Sequence, residues 1–413
     1  MSSDRDNDSL EDTLDKYREK IDFDETSQIS HPQDCYPGNC SLVGYKKDGE
    51  LRYQEQTGKY PVVDSETPDW NPRGCSRQCS YTDATYGEER IEQPMKQMGE
   101  RGSGEWEPIS WEEAYEEIAE AMVDAMEDDP QSIVNESPPG EGGSTYGITP
   151  FTRLTSQAGG INLDLESAVI QDFSAGMYQT FGKYQFCSTQ DEWFKADLNL
   201  VWNMNPAYSR NPSYHFLTEA RYNGSETVVI APDYSPSCDA ALALGMCRVI
   251  LENDLADWEF VKEQTDLPLL VREDNDRFVR ESDFEDDGSD EKFYVWDTNA
   301  NDNAGDEDDE GLVQAPRETL ELGDIDPALE GRFEVEIDGE TVEVRPVFER
   351  LRDKIENEYD LETVQEITGV HPSVVEEIAR KVANNRTNIM NSWNTAKVFH
   401  GDLIERGMAL LLA

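Results

Sequence analysis

The chain has 413 residues, of which 89 are acidic and 35 basic, so its formal net charge is −54 at pH 7. This charge argues against nucleic acid as a partner, because the phosphate backbone carries the same sign. Hydrophobic residues make up 37% of the chain, which excludes an intrinsically disordered acidic protein. The acidic residues are spread along the chain, and molar salt would screen their repulsion by shortening the Debye length to about 3 Å. We therefore expect a salt-loving source.

A histidine and three cysteines near the start form a candidate metal site: His31, Cys35, Cys40 and Cys75. The last of them lies within the motif Asn71-Pro72-Arg73-Gly74-Cys75. Three thiolates and one imidazole complete a tetrahedral ligand set for an iron–sulfur cluster or for structural zinc, and the spacing by itself leaves both open. The other cysteines are interpreted as structural thiols that pack as small hydrophobic groups, and they are Cys79, Cys187, Cys238 and Cys247.

Two local patterns predict the next elements. The dipeptide Asp48-Gly49 lies between two strand-like runs and predicts a hairpin turn. Ser110, with Glu113 three positions later, is typical of a helix start with a capping box. Apolar residues then recur at helical spacing and predict an amphipathic helix that packs through Trp111, Tyr115, Ile118, Met122 and Met126.

Short apolar runs then alternate with a helical pattern. Strands are predicted at 132–135, 198–202 and 227–231, with a helix through 215–221. The strand–helix–strand order predicts a parallel, right-handed α/β unit, which binds ligands beyond the carboxyl ends of its strands. Polar and turn residues follow two of these strands, namely Asn203, Asn205, Pro206, Arg210, Pro232 and Asp233. They can contact phosphate, ribose or guanine groups, and the alternative is that they are ordinary loop residues.

The C-terminal third begins with acidic low-complexity runs at 283–291 and 306–310, which are interpreted as a solvated surface insertion. Residues 333–344 alternate like a hairpin around Asp338-Gly339, and 374–382 are patterned as a helix with one buried face. His371 is interpreted as structural, and the last residues, 405–413, as part of an apolar helix.

Residues 31–260 resemble the N-terminal half of a molybdopterin oxidoreductase catalytic subunit of the dimethyl sulfoxide reductase superfamily. Within that superfamily, the order of motifs in this chain is similar to that of one branch, which holds respiratory nitrate reductase, dimethyl sulfide dehydrogenase and the selenate and chlorate reductases. Those motifs are 71–75, 92–96, 98–102, 106–111, 202–206, 218–222 and 232–234. That branch places the ligands of a [4Fe-4S] cluster where this chain has His31, Cys35, Cys40 and Cys75.

The resemblance also implies a bis(molybdopterin guanine dinucleotide) molybdenum cofactor. Asp172, counted back from residues 179–182, falls where the branch has the aspartate that ligates molybdenum, and Ser174 is the alternative ligand. A hard carboxylate oxygen suits a high-valent metal that also has dithiolene sulfur ligands. The resemblance implies cofactor-binding roles for Arg77, Trp202, Asn203, Asn205, Pro206, Arg210, Pro232, Asp233 and His400. For Arg77 a surface role, and for His400 a partly buried structural one, remain open.

The expected fold class is α/β, with a small N-terminal iron–sulfur domain followed by parallel-sheet α/β domains of the molybdopterin oxidoreductase type and without the family's C-terminal domains. The predicted segments are an acidic extension, a cluster domain, a dinucleotide-binding region, an acidic insertion and a truncated α/β domain, at 1–30, 31–107, 108–270, 271–330 and 331–413.

The implied activity is oxygen-atom transfer to or from a small oxyanion, S-oxide or N-oxide such as nitrate, chlorate, selenate, dimethyl sulfoxide or trimethylamine oxide. Electrons would pass through the [4Fe-4S] cluster to or from an iron–sulfur electron-transfer subunit, with a membrane anchor or cytochrome subunit as a further partner. Two alternatives remain open: a zinc-stabilised binding protein, and an inactive truncated remnant that only binds a partner.

No stretch of the sequence reaches the roughly 18 apolar residues of a membrane helix, so we expect a soluble chain without direct membrane insertion. The first 29 residues contain neither a twin-arginine pair nor an apolar segment. The chain as written is therefore expected in the cytoplasm, or at the outer face of the membrane if a twin-arginine signal lies upstream.

Overall fold

The computed structural model describes residues 15, 21–29, 42–57, 64–68, 76–136, 148–163, 174–182, 188–189, 191–209, 213–231, 239–300, 311–316, 322–392, 395, 397–398 and 400–413. For 76–79, 148 and 239 the description covers the backbone.

The strands, in chain order, are β1 Glu25–Ile29, β2 Leu42–Lys47, β3 Glu50–Gln56, β4 Met95–Gln97, β5 Trp106–Pro108, β6 Val134–Asn135, β7 Ile161–Asn162, β8 Leu198–Trp202, β9 Glu226–Ile230, β10 Leu270–Arg272, β11 Tyr294–Trp296, β12 Leu312–Gln314, β13 Phe333–Ile337, β14 Glu340–Pro346 and β15 Thr387–Met390.

The helices are α1 Ser76–Thr85, α2 Trp111–Asp128, α3 Ile148–Ala158, α4 Ala175–Phe181, α5 Glu192–Lys195, α6 Pro206–Ser209, α7 Tyr214–Tyr222, α8 Asp239–Glu252, α9 Trp258–Gln264, α10 Val347–Glu358, α11 Leu361–Thr368, α12 Pro372–Asn384 and α13 Gly401–Leu412. Short 3-10 turns lie at Pro130–Ser132 and Glu281–Asp283.

The chain forms two compact units that interleave along the sequence. Unit 1 consists of Met1–Phe173, Ser188–Lys195 and Val201–Val229, and unit 2 of Ser174–Cys187, Ala196–Leu200 and Ile230–Ala413. The sequence pattern, in contrast, predicts consecutive segments. Strand β8 contributes to both units, with residues 198–200 in unit 2 and 201–202 in unit 1.

Unit 1 begins with an antiparallel sheet in the order β1-β2-β3. The predicted hairpin is confirmed, because Asp48 and Gly49 both have positive φ, at 54° and 84°, and connect β2 to β3. This pair of left-handed residues matches the right-handed twist of the strands that it joins. The rings of Tyr45 and Tyr53 stack across the hairpin with centroids 4.3 Å apart.

Helix α2 begins where its cap predicts, but its apolar face is not buried. The Oγ atom of Ser110 accepts the backbone N–H of Glu113 at 3.1 Å. The predicted packing residues are largely exposed, with Tyr115 at 63% and Ile118 at 59%, and Ala114 is the buried residue of this helix. The prediction of a packing face was therefore wrong for the described residues, since helical periodicity shows which face is apolar but supplies no element to cover it.

The α/β part of unit 1 contains a parallel pair, β6 and β7, with Val134 opposite Ile161. The predicted strand at 198–202 is confirmed as β8, the predicted strand at 227–231 as β9, and the intervening helix as α7. Strands β8 and β9 are neighbours in one sheet. The α/β class predicted from the sequence is confirmed.

Unit 2 contains an antiparallel sheet in the order β10-β14-β13, whose turn at Asp338 and Gly339 confirms the second predicted hairpin. The acidic segment contributes to this part of the core, because Val279 is fully buried against the sheet. Trp296 also packs there, and its ring stacks on that of Phe333 with centroids 4.2 Å apart. The acidic runs thus flank apolar residues that fold with the sheet.

The helices of unit 2 pack around α8, which contacts α10, α11, α12 and α13. The predicted buried face of α12 is confirmed, and it consists of Val375, Ile378, Ala379 and Val382. His371 is structural as predicted: it is the N-cap of α12, and its Nδ1 accepts the Ser373 N–H at 3.2 Å. Within the described part of the chain, no helix is both long and apolar enough to cross a membrane.

Candidate functional site

Several predicted site residues lie outside the described residues: His31, Cys35, Cys40, Cys75, Asp172, Arg210, Pro232 and Asp233. Arg77 lies in the first turn of α1, for which the backbone is described. Among the described residues, no group of three or more His, Cys, Asp or Glu side chains is placed to hold a metal ion. The predicted cluster ligands and molybdenum ligand therefore stay predictions from the sequence.

The carboxyl end of β8 is where the described structure brings predicted site residues together. All of Leu198–Trp202 is buried, as expected for an apolar strand that is covered on both faces. Directly after Trp202 the chain turns through Asn203, whose φ of 55° lies in the left-handed region. Asparagine tolerates this conformation better than most residues, because its short polar side chain relieves the local strain. The strand thus ends abruptly at a half-buried polar residue.

The next turn of the chain is fixed by backbone hydrogen bonds to Asn205. Its carbonyl oxygen accepts the N–H groups of Tyr208 and Ser209 at 3.1 and 3.0 Å, which starts the short helix α6. Pro206, at the first position of α6, is buried and needs no hydrogen-bond partner for its nitrogen. The side chain of Asn205 itself is exposed. Trp202 and Pro206 therefore anchor the loop, while Asn203 and Asn205 present their amides.

The polar groups at this strand end fit a nucleotide-like cofactor. No hydrogen bond joins the side-chain amide of Asn203 or of Asn205 to another described residue. Each amide offers N–H donors and a carbonyl acceptor, which can serve phosphate oxygens and a guanine edge. A ligand at the carboxyl end of β8 also agrees with the general position of ligand sites in α/β sheets.

A different group of residues, within unit 2, was missed by the sequence pattern. Glu405 lies in the buried stripe of α13 and is fully buried, although the predicted helix at 405–413 was interpreted only as apolar. Its Oε2 accepts the N–H groups of Gly176 and Met177 at 2.8 and 3.3 Å, at the start of α4. An acid in an apolar helical stripe was the available signal, because such residues are almost never fully buried without partners.

Burial makes the Glu405 carboxyl group a weaker acid than an exposed glutamate. It raises the pKa of Glu405, and the N–H groups of Gly176 and Met177 and the hydroxyl of Ser174 lower it in part. Hydrogen bonds from N–H groups favour the charged carboxylate, whereas desolvation favours the neutral acid. Desolvation has the larger effect, so Glu405 holds its proton to a higher pH than an exposed glutamate.

His400, a predicted cofactor contact, immediately precedes α13. Its φ is 58°, and its carbonyl oxygen accepts the N–H groups of Leu403 and Ile404 at 3.0 and 3.3 Å. The side chain is exposed and makes no capping hydrogen bond to the helix. This geometry shows a backbone role at the start of α13, and a contact with cofactor stays a prediction.

Unit 2 also contains an apolar cavity of about 240 Å³ that none of the predicted site residues lines. Among its walls are Trp258, Phe348, Ile355 and Leu411. Cys247 lies there as well, and burial raises the pKa of its thiol to about 12. Cys247 is a free and buried cysteine, which confirms its interpretation as a structural thiol that packs as a small hydrophobic group.

Known proteins resemble this chain over nearly its whole length. Residues 90–259 match the family model described as molybdopterin oxidoreductase. The dimethylsulfide dehydrogenase subunit alpha of Rhodovulum sulfidophilum is 36% identical over 97% of this chain and 44% of its own length. The chlorate reductase subunit alpha of Ideonella dechloratans is 37% identical over 96% of this chain and 44% of its own length. The respiratory nitrate reductase subunit alpha of Haloferax mediterranei is 34% identical over 96% of this chain and 42% of its own length.

The chain thus spans less than half the length of these curated relatives. Among solved structures, acetylene hydratase from Pelobacter acetylenicus superposes with a TM-score of 0.57 over 93% of this chain and 43% of its own. At 19% identity this likeness shows the fold alone, and it agrees with the α/β class. The family model and the aligned relatives lead to one assignment: residues 90–259 of the chain are a molybdopterin oxidoreductase domain.

Proposed function

We propose that this chain forms part of the catalytic subunit of a molybdenum-dependent oxidoreductase that transfers an oxygen atom to or from a small oxyanion, S-oxide or N-oxide. The observation that carries the proposal is the alignment of 96–97% of the chain with alpha subunits named for dimethylsulfide dehydrogenation, chlorate reduction and nitrate reduction. Because these named activities differ in substrate and in direction, the proposal is a class of reaction and not a single substrate.

The end of β8 supports the proposal with a physical site. A bis(molybdopterin guanine dinucleotide) cofactor, when bound, supplies the oxygen-atom transfer chemistry. The chain's own part is to bind and orient it. Asn203 and Asn205 would donate to and accept from one dinucleotide, while buried Trp202 and Pro206 hold their backbone in place. Arg210, Pro232 and Asp233 are proposed to complete this part of the site.

We propose Asp172 as the protein ligand of molybdenum, with a carboxylate oxygen that suits a high-valent metal. We propose His31, Cys35, Cys40 and Cys75 as ligands of a [4Fe-4S] cluster, which supplies one-electron transfer when it is bound. Two further contacts, Arg77 between cluster and pterin and His400 near the second pterin, belong to the same proposal. An iron–sulfur electron-transfer subunit is the proposed partner, together with a membrane anchor or cytochrome subunit.

The deciding experiment measures iron and molybdenum per chain in protein purified without oxygen in concentrated salt. The proposal expects about four irons for one cubane cluster and one molybdenum per chain. Asp172→Ala should lose molybdenum and keep iron, whereas Cys35→Ser should lose iron. Asp124→Asn, at an exposed position on α2, and Cys247→Ala, outside the proposed ligand set, are matched controls that should keep both metals.

Each contrary result has a definite meaning. Zinc as the bound metal, without iron or molybdenum, would contradict the redox function and favour the zinc-stabilised binding protein. Iron without molybdenum would contradict the oxygen-transfer chemistry for this chain and favour an inactive remnant that retains only its cluster. Loss of molybdenum in the Asp124→Asn control would show that the metal content reports general instability and not ligation.

A further inference from the structure

The apolar cavity of unit 2 lies among helices α8, α9, α10, α12 and α13 and has a volume of about 240 Å³. Each of these helices contributes an aliphatic side chain to its wall, namely Ile250, Val261, Ile355, Val382 and Leu411. Protein interiors are close-packed and leave few voids larger than a water molecule. A dry apolar cavity of about 150 Å³ already holds benzene, so this cavity has room for a molecule of two rings.

Two aromatic rings form part of the same wall. Trp258 of α9 and Phe348 of α10 meet edge to face, with ring centroids 5.5 Å apart and ring planes at 90°. Phe348 is buried, whereas Trp258 is half-buried. Aromatic rings attract further rings in edge-to-face or offset-stacked arrangements. The wall therefore favours an aromatic ligand over an aliphatic ligand of the same size.

Polar side chains at the wall are engaged with the protein itself. The indole N–H of Trp258 donates to Oδ1 of Asp254 at 2.7 Å. The hydroxyl of Thr387 donates to the carbonyl oxygen of Val382 at 3.2 Å. The carboxylate of Asp257 accepts a backbone N–H at the start of α9. A ligand rich in polar groups would lose its hydrogen bonds to water without gaining these partners, which disfavours such a ligand.

The charges around the cavity select against anions. Asp257 is the acidic side chain among the described lining residues, and these include no lysine or arginine. An anion would therefore meet a like charge and find no cation there to pair with. A charged group of either sign would also lose its hydration among apolar walls, a cost that an uncharged ligand avoids.

We propose that this cavity is a binding site for a small, uncharged aromatic molecule of one or two rings. The site goes beyond the proposed oxidoreductase function, because no residue of the proposed metal or dinucleotide sites lines the cavity. A ligand that fills the void binds the folded chain and not the unfolded one, so it should also raise the thermal midpoint.

The test titrates the full chain, in concentrated salt, with fluoronaphthalene and follows binding by fluorine NMR. Fluoronaphthoate, which adds a carboxylate to the same ring system, is the matched charged probe. Ala383→Phe places a ring in the cavity from its half-buried position on α12, and Leu351→Phe adds volume from α10. Ala121→Phe, at an exposed position on α2, is the matched control. In the wild type, nuclear Overhauser contacts from the probe to the methyl groups of Ile355 and Leu411 locate it without any substitution.

We expect saturable binding of fluoronaphthalene to the wild type, with contacts to both methyl-bearing residues and a raised thermal midpoint. Binding should weaken at least tenfold in whichever of Ala383→Phe and Leu351→Phe keeps the circular dichroism spectrum of the wild type, and it should be unchanged in Ala121→Phe. Fluoronaphthoate should bind the wild type at least tenfold more weakly than the uncharged probe.

Three results would overturn the proposal. Absence of saturable binding to the wild type would show that the cavity takes no such ligand. Binding without contacts to Ile355 and Leu411, or undiminished binding in a folded variant with a filled cavity, would place the probe elsewhere on the chain. Equal binding of fluoronaphthoate would contradict a site for uncharged molecules.

Discussion

The Oε2 atom of Glu405 accepts the backbone N–H of Gly176 at 2.8 Å, although the two residues are separated by 229 positions in the sequence. This contact joins the start of α4 to the middle of α13. It depends on the absence of a side chain at Gly176, since a Cβ atom there would overlap the backbone of α13.

Gly176→Ala should therefore destabilise unit 2. The added methyl group forces the two helices apart, and overpacking of this kind costs about 1–3 kcal/mol. Gly407→Ala, in α13, is the control: its Cβ atom would meet Ala243 at 3.3 Å, so we expect a cost below about 1 kcal/mol because alanine is also the better helix former. Urea unfolding of both variants measures the difference. Equal costs would contradict the close contact.

The exposed face of α2 predicts a contrast between two identical substitutions. Ile118 is 59% exposed and Ile355, in α10, is 1% exposed. Ile355→Ala should cost about 2–5 kcal/mol of unfolding free energy through lost burial and a cavity, whereas Ile118→Ala should change it by no more than about 0.5 kcal/mol. The measurement is again urea unfolding. A large cost at Ile118 would show that this face is covered in solution.

Glu281 should make stability depend on acidic pH. Lys292 is its main partner, at 2.5 Å, and with the Ser289 N–H it lowers the pKa of Glu281 from 4.5 to about 2. The unfolded chain takes up this proton near pH 4.5 and the folded chain only near pH 2, so the stabilisation is complete above pH 4.5 and is lost as the pH falls towards 2.

The stability difference between the wild type and Glu281→Gln should therefore be largest at neutral pH and shrink below pH 4.5. Urea unfolding of both proteins in concentrated salt, from neutral pH down to about pH 3, measures this difference over the range in which the unfolded chain takes up the proton before the folded chain does. Gln365→Ala, at an exposed position of α11, removes no titratable group and is the control for which the difference should not vary with pH. A difference that does not vary with pH would contradict the ion pair.

The net charge of −54 predicts that salt stabilises the chain. The thermal midpoint should rise when NaCl increases from about 0.1 M to about 1 M, because the Debye length falls from about 10 Å to about 3 Å. On α2, the exposed acids Glu112, Glu116 and Glu120 follow one another at i,i+4 spacing, where each like-charge pair is destabilising by about 0.2–0.5 kcal/mol.

Replacing these three glutamates by glutamine should raise the midpoint at low salt and reduce its rise with salt. The matched comparison replaces Glu25, Glu252 and Glu377, which form ion pairs with basic residues, and should not raise the low-salt midpoint. A midpoint that is flat or falls with salt would contradict a stability limited by charge repulsion.

Turns and caps could be predicted because their physical causes are local. Asp48-Gly49 and Asp338-Gly339 both adopt positive φ between strands, as their residue types favour. Ser110 caps α2 through an atom only three residues from its partner. The apolar run at 198–202 likewise predicted a strand that Asn203 and Asn205 follow. These features need no knowledge of distant parts of the chain.

What the sequence determined by itself was the class of fold, two hairpin turns, the start of α2 and the resemblance to the family, since each depends on a short pattern of residue types. Among the described residues, the tertiary structure decided which apolar faces are covered: the stripe on α2 is largely exposed, whereas the stripe on α12 is buried. It also decided that Glu405 is buried against Gly176. A side chain is buried only when a second surface covers it, and that surface is formed by residues far away in the sequence.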